Sequence, residues 1–415
     1  MAHQSITMMM LTIASYSLNR QAAHNSIVSP IIPENGTVFD YIIVGGGTAG
    51  CVVAGRLAQD LRKSVLILEA GGPQSFITDM PGNTLHLVGD EYDWNYSVAP
   101  QQTAGLSYPS FGIPRGRVLG GSSVTNWDLY NRGNPQDYNS WATDFGLKNM
   151  VWKNFQKYFY LFENETDTNY LNNGYHHYGG PVSISTETQP DQILIEFQKL
   201  MNSLNISTID INGASQQGTT ISQVFWNIDT AIKSTTANSY LEKVPRASNL
   251  VVVTRAFVRE LILDRDRVIG VNYEDRHGNI RYVQAKKEII LSGGALNTPQ
   301  ILINSGIGPI DHLQELNIPV VKNLSVGFNL HDMVFVPLYY RINDPALTNA
   351  FPDFSTENLF NYFVNAQGPL AHHADGITYR STNNSSSTWP NTMIISVVEF
   401  FDDLNATVSQ YIQNQ

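Results

Sequence analysis

Val38-Phe39-Asp40-Tyr41-Ile42-Ile43-Val44-Gly45-Gly46-Gly47-Thr48-Ala49-Gly50-Cys51 is the stretch whose reading decides the fold. Residues 38–44 form a short, mostly apolar, β-favouring run, and over residues 48–61 the apolar positions change to helical spacing. Between them Gly45, Gly47 and Gly50 fill the pattern G-x-G-x-x-G. In that setting the first glycine permits a tight turn, the second lets the backbone approach a diphosphate, and the third lets the helix pack closely on the strand. The helix N-terminus at Thr48 and Ala49 adds free N–H groups and a partial positive charge. A second apolar run, 65–68, closes at Glu69, 19 residues past Gly50, where a carboxylate can accept hydrogen bonds from a ribose. The whole reads as strand, glycine turn, helix, strand, with the two strands parallel neighbours in a buried sheet. Dinucleotide binding is the functional reading; a purely structural glycine turn is the alternative, and Glu69 suits NAD and FAD alike.

Outward from this unit, the 415 residues exceed what one hydrophobic core ordinarily serves, so two lobes are expected. With 42% hydrophobic and 15% charged residues the chain should fold rather than trail disordered tails. A net charge of -11 with no basic patch argues against a nucleic-acid partner. The single Cys51 excludes an intramolecular disulfide framework and a thiolate zinc site, and without a second cysteine it reads as a small packing residue rather than a redox thiol. No apolar run is long enough for a membrane span. Residues 8–14 offer only a short apolar stretch without the basic start of a secretory signal. Sequons at Asn35, Asn95, Asn164, Asn205, Asn323, Asn383, Asn384 and Asn405 point towards an extracellular or secretory location, weakly, because a chain this rich in Asn, Ser and Thr generates most of them by chance.

Residues 1–37 lack a clear period and carry Pro30 and Pro33, so they read as a leader or arm, with regular structure starting at Val38. Residues 73–133 are rich in Gly, Pro and aromatic residues, and so long an irregular stretch is expected to line a functional site. Helices are expected at 152–162 and 193–204, and strands at 182–185, 208–211, 250–254, 258–264, 268–274 and 289–291, with a turn at 276–279. No internal repeat is visible.

A second motif runs Pro114-Arg115-Gly116-Arg117-Val118-Leu119-Gly120-Gly121-Ser122-Ser123-Val124-Thr125-Asn126. Its paired glycines and serines can lie flat against a ring while N–H groups and short side chains reach heteroatoms. This run resembles the first signature of the glucose-methanol-choline (GMC) flavin-dependent oxidoreductases. The run Gly294-Ala295-Leu296-Asn297-Thr298-Pro299-Gln300-Ile301-Leu302-Ile303-Asn304-Ser305-Gly306-Ile307-Gly308 is similar to their second signature at every constrained position. Residues 65–72, Asp93-Trp94 and Val326 to Asp332 extend the likeness over about residues 38–332, nearest in character to the glucose dehydrogenase-like branch.

The resemblance implies FAD, with Gly45, Gly47, Gly50, Thr48 and Ala49 at the diphosphate and Glu69 at the adenosine ribose. It implies that residues 118–126, among them Val118, Gly121, Ser122 and Asn126, face the flavin, and that the Val258 backbone meets the adenine. Covalent members carry a histidine in the glycine-serine loop; Thr125-Asn126 stand there here, so FAD is expected to be non-covalent. Thr125, Gly293 and Met333 are further mild departures. The expected architecture is α/β: a doubly wound FAD-binding lobe from 38–175 and 230–330, and a smaller α+β substrate lobe from 176–229 and 331–415.

The implied activity is oxidation of the CH–OH group of a small-molecule alcohol or sugar. No residue pattern reveals the substrate itself or the electron acceptor. Family members carry their catalytic histidine in a C-terminal stretch that nothing before Gln415 resembles, so the chain is expected to be a truncated form without its own base. His176-His177 read as a structural turn, and His331, His372 and His373 as exposed-loop residues, rather than substitutes. The reading from another class is a non-catalytic FAD-binding or interaction protein. An NAD(P)-linked dehydrogenase would explain the glycine turn but not the two later motifs.

Overall fold

The structure, a computed structural model, describes residues 2–102, 111–188, 190–242, 249–333, 336–338, 340, 342–344, 347, 354–383 and 388–396. The sequons at Asn384 and Asn405, and the end of the expected second lobe at 397–415, lie outside the described residues. The helices used below are α1 (Ala2–Ile27), α2 (Thr48–Ala58), α3 (Ser122–Thr125), α4 (Pro135–Asp144), α5 (Trp152–Phe162), α6 (Gln192–Ser203), α7 (Gly294–Asn304) and α8 (Thr356–Phe360). The strands are β1 (Val38–Val44), β2 (Val65–Glu69), β3 (Glu163–Glu165), β4 (Val182–Thr186), β5 (Gly218–Ile221) and β6 (Gln223–Val224), followed by β7 (Leu250–Thr254), β8 (Phe257–Asp264), β9 (Arg267–Glu274), β10 (Ile280–Leu291), β11 (Gly376–Arg380) and β12 (Thr392–Ser396).

One six-stranded sheet, ordered β7-β2-β1-β10-β9-β8, organises the first lobe. The first four strands are parallel neighbours, and β9 and β8 extend the sheet as antiparallel strands. Strand β2 is buried along its whole length, as its unbroken apolar run requires of a strand covered on both faces. Alternation divides the core. Ile43 and Ile67 face α2 with Cys51 and Ala54, whereas Ile42, Val44, Leu66 and Leu68 face the opposite layer, where Ile301 of α7 packs. The expected doubly wound α/β arrangement is therefore present, with helices on both faces of a mainly parallel sheet.

Regular structure begins well before Val38, contrary to the expectation that it starts there. Residues 2–27 form α1, whose Ile13 and Tyr16 pack against the cluster of Met80, Tyr362, Phe363 and Leu370. Met8, Leu11 and Leu18 remain exposed, so the apolar residues occupy more than one face and leave no helical period to read. The helix is tied down through charge instead. Arg20 Nε donates to Asp79 Oδ2 at 2.8 Å, and His24 Nε2 lies 3.0 Å from Asp79 Oδ1, with Asp79 buried.

Two three-stranded sheets, β12-β11-β5 and β3-β4-β6, lie outside the six-stranded one. Helices α5 and α6 fall within a residue of their expected bounds. The strand expected at 208–211 does not form; Thr208 makes only an isolated bridge to Thr219. Next to β3 lies a buried polar node. His176 Nδ1 is 2.6 Å from Glu163 Oε1 and its Nε2 is 3.0 Å from Asp210 Oδ2, while Arg132 Nη2 donates to Glu163 Oε2 at 2.5 Å. His176 is thus a structural residue, as its place in a turn suggested, with both ring nitrogens engaged.

Candidate cofactor-binding site

The carboxyl ends of the parallel strands are in register: Val44 pairs with Leu68 and with Leu291, and Glu69 with Thr254. Beyond these ends lies a cavity of about 600 Å³, the position at which open α/β sheets take ligands. It is lined by Gly45, Gly47, Thr48, Ala49 and Glu69 from the first unit, by Arg115, Gly116, Gly121 and Ser122 from the glycine-serine motif, by Ala256 to Val258, and by Ser292 to Pro299 around the start of α7. Motifs some 250 residues apart in sequence therefore meet at one site.

Local geometry explains the glycine pattern. Gly45 has φ +92°, and a Cβ there would lie 2.5 Å from the Ser292 carbonyl oxygen, so the turn between β1 and α2 admits no side chain. A Cβ on Gly50 would sit 2.0 Å from the Gly45 carbonyl oxygen, which makes this glycine a packing residue that does not line the cavity. Gly47 differs: its nearest neighbours would be Gly121 Cα at 3.8 Å and Ser292 O at 3.9 Å, an open approach from the cavity. Gly47 and Gly293 precede α2 and α7, and no side chain caps either helix. Two helix N-termini thus present first-turn N–H groups and partial positive charge to one cavity.

Glu69 closes the far end. Its Oε1 accepts from Gly71 N at 2.8 Å, and it is 5% exposed. Burial raises its pKa to about 7, against the opposing pull of the Gly71 and Gly46 N–H groups and the Arg117 charge. Hydroxyl donors at this carboxylate would stabilise its ionised form, which suits a ribose edge. Trp94 lines the cavity wall beside Phe257, stacked on Tyr96 at 5.6 Å, with the Arg117 guanidinium over its ring at 5.0 Å. Tyr96 Oη in turn accepts from Asn297 Nδ2 at 2.6 Å, which ties this wall to α7. Arg115, Phe257 and Ser292 line the cavity without having been expected to; Arg115 lies within the second motif and Phe257 adjoins Val258.

Two expected loop residues stand elsewhere. Val118 is fully buried in a cluster with Leu87, Tyr92 and Val124, and Asn126 is exposed beyond α3, its Oδ1 accepting from Asp128 N at 3.2 Å. Neither lines the cavity, because the turn at Gly120 and Gly121 directs one flank of the motif into the core and the other to the surface. Val258 lines the cavity. Cys51 is buried with its thiol donating to Gly46 O, and burial pushes its pKa up to about 12, so it is an inert packing residue.

Two of the histidines expected in exposed loops are instead partly buried. His331 is exposed, but His372 pairs with the buried Glu187 at 3.0 Å, and His373 packs 5.5 Å from the Trp127 ring. Burial and the Lys233 charge lower His373 to about 4, so neither is an exposed-loop residue. No histidine lines the cavity among the described residues.

Residues 39–334 match the GMC oxidoreductase family. Glucose dehydrogenase (FAD, quinone) of Drosophila melanogaster is 33% identical over 311 residues, covering 74% of this chain and 49% of the relative. Ecdysone oxidase of Spodoptera littoralis is 32% identical over 344 residues, covering 81% and 57%. The crystal structure of pyridoxine 4-oxidase from Mesorbium loti superposes with a TM-score of 0.64 at 30% identity, over 69% of this chain and 55% of that one. The chain spans about half the length of the curated relatives it matches. Among the described residues no helix is long and apolar enough to cross a membrane. The matched residues contain both halves of the cavity, the glycine turn of β1 and α2 and the start of α7, and the chain belongs to the FAD-dependent GMC oxidoreductase family.

Proposed function

We propose that the cavity holds FAD non-covalently and that the chain serves oxidation of the CH–OH group of a small alcohol or sugar. The observation that carries this is the convergence of two uncapped helix N-termini and one buried carboxylate at the ends of the parallel strands. In this reading Gly45, Gly47, Thr48 and Ala49 receive the diphosphate with Gly50 holding α2 in place, Glu69 holds the adenosine ribose, and the Val258 backbone meets the adenine. Gly121 and Ser122 face the flavin, with Val118 anchoring that turn from the core and Asn126 ending it at the surface. The cofactor lobe comprises 38–175 and 230–330, and the substrate lobe 176–229 and 331–415. FAD, when bound, supplies the acceptor for hydride.

The chain's own residues bind and orient; none of the histidines among the described residues stands at the cavity to take the hydroxyl proton. We place that base outside the described cavity lining. The same observation favours a second reading, a FAD-binding protein without turnover. Anaerobic mixing of the FAD-loaded chain with glucose, choline and a panel of primary alcohols separates the two. Bleaching of the flavin absorbance supports oxidation, whereas tight FAD binding with no bleaching supports the second reading. Absence of FAD binding would refute both. An extracellular or secretory location rests on the sequons alone, and a mass shift on enzymatic removal of N-glycans would test it.

Glu69→Gln is expected to weaken FAD binding by about tenfold to 100-fold, since a charge-assisted hydrogen bond contributes about 1.5–3 kcal/mol. Titration of flavin fluorescence measures this. Unchanged affinity would remove Glu69 from the ribose.

A further inference from the structure

The glycine-serine turn is gripped by a segment that does not line the cavity, Lys233-Ser234-Thr235-Thr236. Thr236 N donates to Ser123 Oγ at 3.1 Å, and the two hydroxyls lie 3.3 Å apart. Ser123 Oγ donates to Gly120 O at 2.7 Å. Thr235 Oγ1 accepts from Gln74 Nε2 at 2.8 Å, and the same amide donates to Leu119 O at 2.9 Å. Lys233 Nζ donates to Val124 O at 3.2 Å and to Thr84 Oγ1, and pairs with Asp128 Oδ2 at 3.0 Å. Lys233 and Asp128 are 0% and 1% exposed, so the ammonium has spent its three donors inside the protein.

On its other side the turn rests on the first βα unit. Gly120 N donates to Gly46 O at 2.7 Å, and Ser123 N to Thr48 Oγ1 at 3.1 Å. A Cβ on Gly121 would come 2.7 Å from Gly47 Cα, which shows how closely the two backbones approach. The turn is thus held between two partners, and only Gly121 and Ser122 at its crest, with Arg115 and Gly116 before it, reach the cavity. A hydroxyl or ammonium lost from the outer partner would let the crest shift by tenths of an ångström, on the scale that distinguishes a made from an unmade hydrogen bond.

We propose that Lys233, Thr235, Thr236 and Asp128 are positioning residues, a buckle that sets the height of Gly121 and Ser122 against bound FAD. This inference rests on the FAD reading of the cavity. Such a buckle is built from one buried ion pair and a row of neutral hydrogen bonds. The ion pair resists replacement of either partner alone, because the survivor is left as an uncompensated buried charge. The hydroxyls can be removed with little change of shape, and they supply the test.

Thr236→Val keeps the shape and the backbone N–H and removes only the hydroxyl, and Thr236→Ser restores it. In the full chain, Thr236→Val should weaken FAD binding about fivefold, the equivalent of one neutral hydrogen bond. It should also change the visible circular dichroism of bound FAD and speed hydrogen exchange at residues 119–126. Thr236→Ser should remain within about twofold of the parent. Lys233→Met should lose more affinity in the same direction, and if it fails to fold the threonine pair still decides. A Thr236→Val protein that binds FAD with parental affinity and an unchanged dichroism spectrum overturns the buckle and leaves the cavity reading intact. A parent chain that binds no FAD overturns the cavity reading, and the buckle with it.

Discussion

Gly47→Val is expected to lower FAD affinity by at least about 100-fold, or about 2.7 kcal/mol, while leaving the fold intact. The expectation comes from where the new side chain would go. At Gly47 a Cβ meets nothing closer than 3.8 Å, and the backbone sits at φ -81°, a conformation open to any L-residue. The branched side chain would therefore fill cavity space between the N-termini of α2 and α7, where the diphosphate is proposed to lie. Gly50→Val provides the contrast. There the Cβ would fall 2.0 Å from the Gly45 carbonyl oxygen, a backbone atom that cannot rotate away, so strand and helix must separate and the protein should unfold. Thermal melts and FAD titrations of both variants check this. A Gly47→Val protein with parental affinity would place the diphosphate elsewhere, and a Gly50→Val protein with a parental melting temperature would contradict the packing role.

The parts of this fold legible in sequence are those whose signals are local. β1, the glycine turn, α2 and β2 each announce themselves within a dozen residues: a continuous apolar run means burial on both faces, and the change to helical spacing after Gly47 marks the helix. The meeting of Gly45 with Gly294 was legible for another reason, since two motifs that serve one cofactor must share one site. Helix α1 was hidden because Met8, Leu11 and Leu18 point outward while Ile13 and Tyr16 point inward, and because its polar anchors, Arg20 and His24, act through an aspartate 59 and 55 residues further on. The buckle was hidden likewise. Lys233 and Asp128 are separated by about a quarter of the chain, and a lone lysine in a polar segment reads as solvated until its partner is known. Val118 and Asn126 belonged to the right motif, but sequence could not show that a turn at positive φ would send one into the core and the other to the surface.

A buried charge node that spacing could not reveal joins Arg132, Glu163 and His176, and Arg132→Met is expected to destabilise the protein by about 3–5 kcal/mol. Arg132 is 2% exposed, and its guanidinium donates to Tyr130 Oη at 2.6 Å, Tyr175 O at 2.6 Å and Glu163 Oε2 at 2.5 Å. Methionine would keep much of the volume but leave Glu163, which is fully buried, with one cation fewer. The remaining cation is His176. Burial alone would lower its pKa, but its hydrogen bonds to Asp210 and Glu163 outweigh that and raise it from 6.5 to about 9. The folded value lies above the unfolded one, so this histidine contributes its full stabilisation below about pH 6.5 and loses it as pH rises through about 9. The Arg132→Met protein should consequently be much more alkali-sensitive than the parent, because deprotonating His176 then strips Glu163 of its last partner of opposite charge at the node. Thermal melts between pH 6 and pH 10 would measure both effects. A variant that melts with the parent at every pH would show that the node is held by packing rather than by charge.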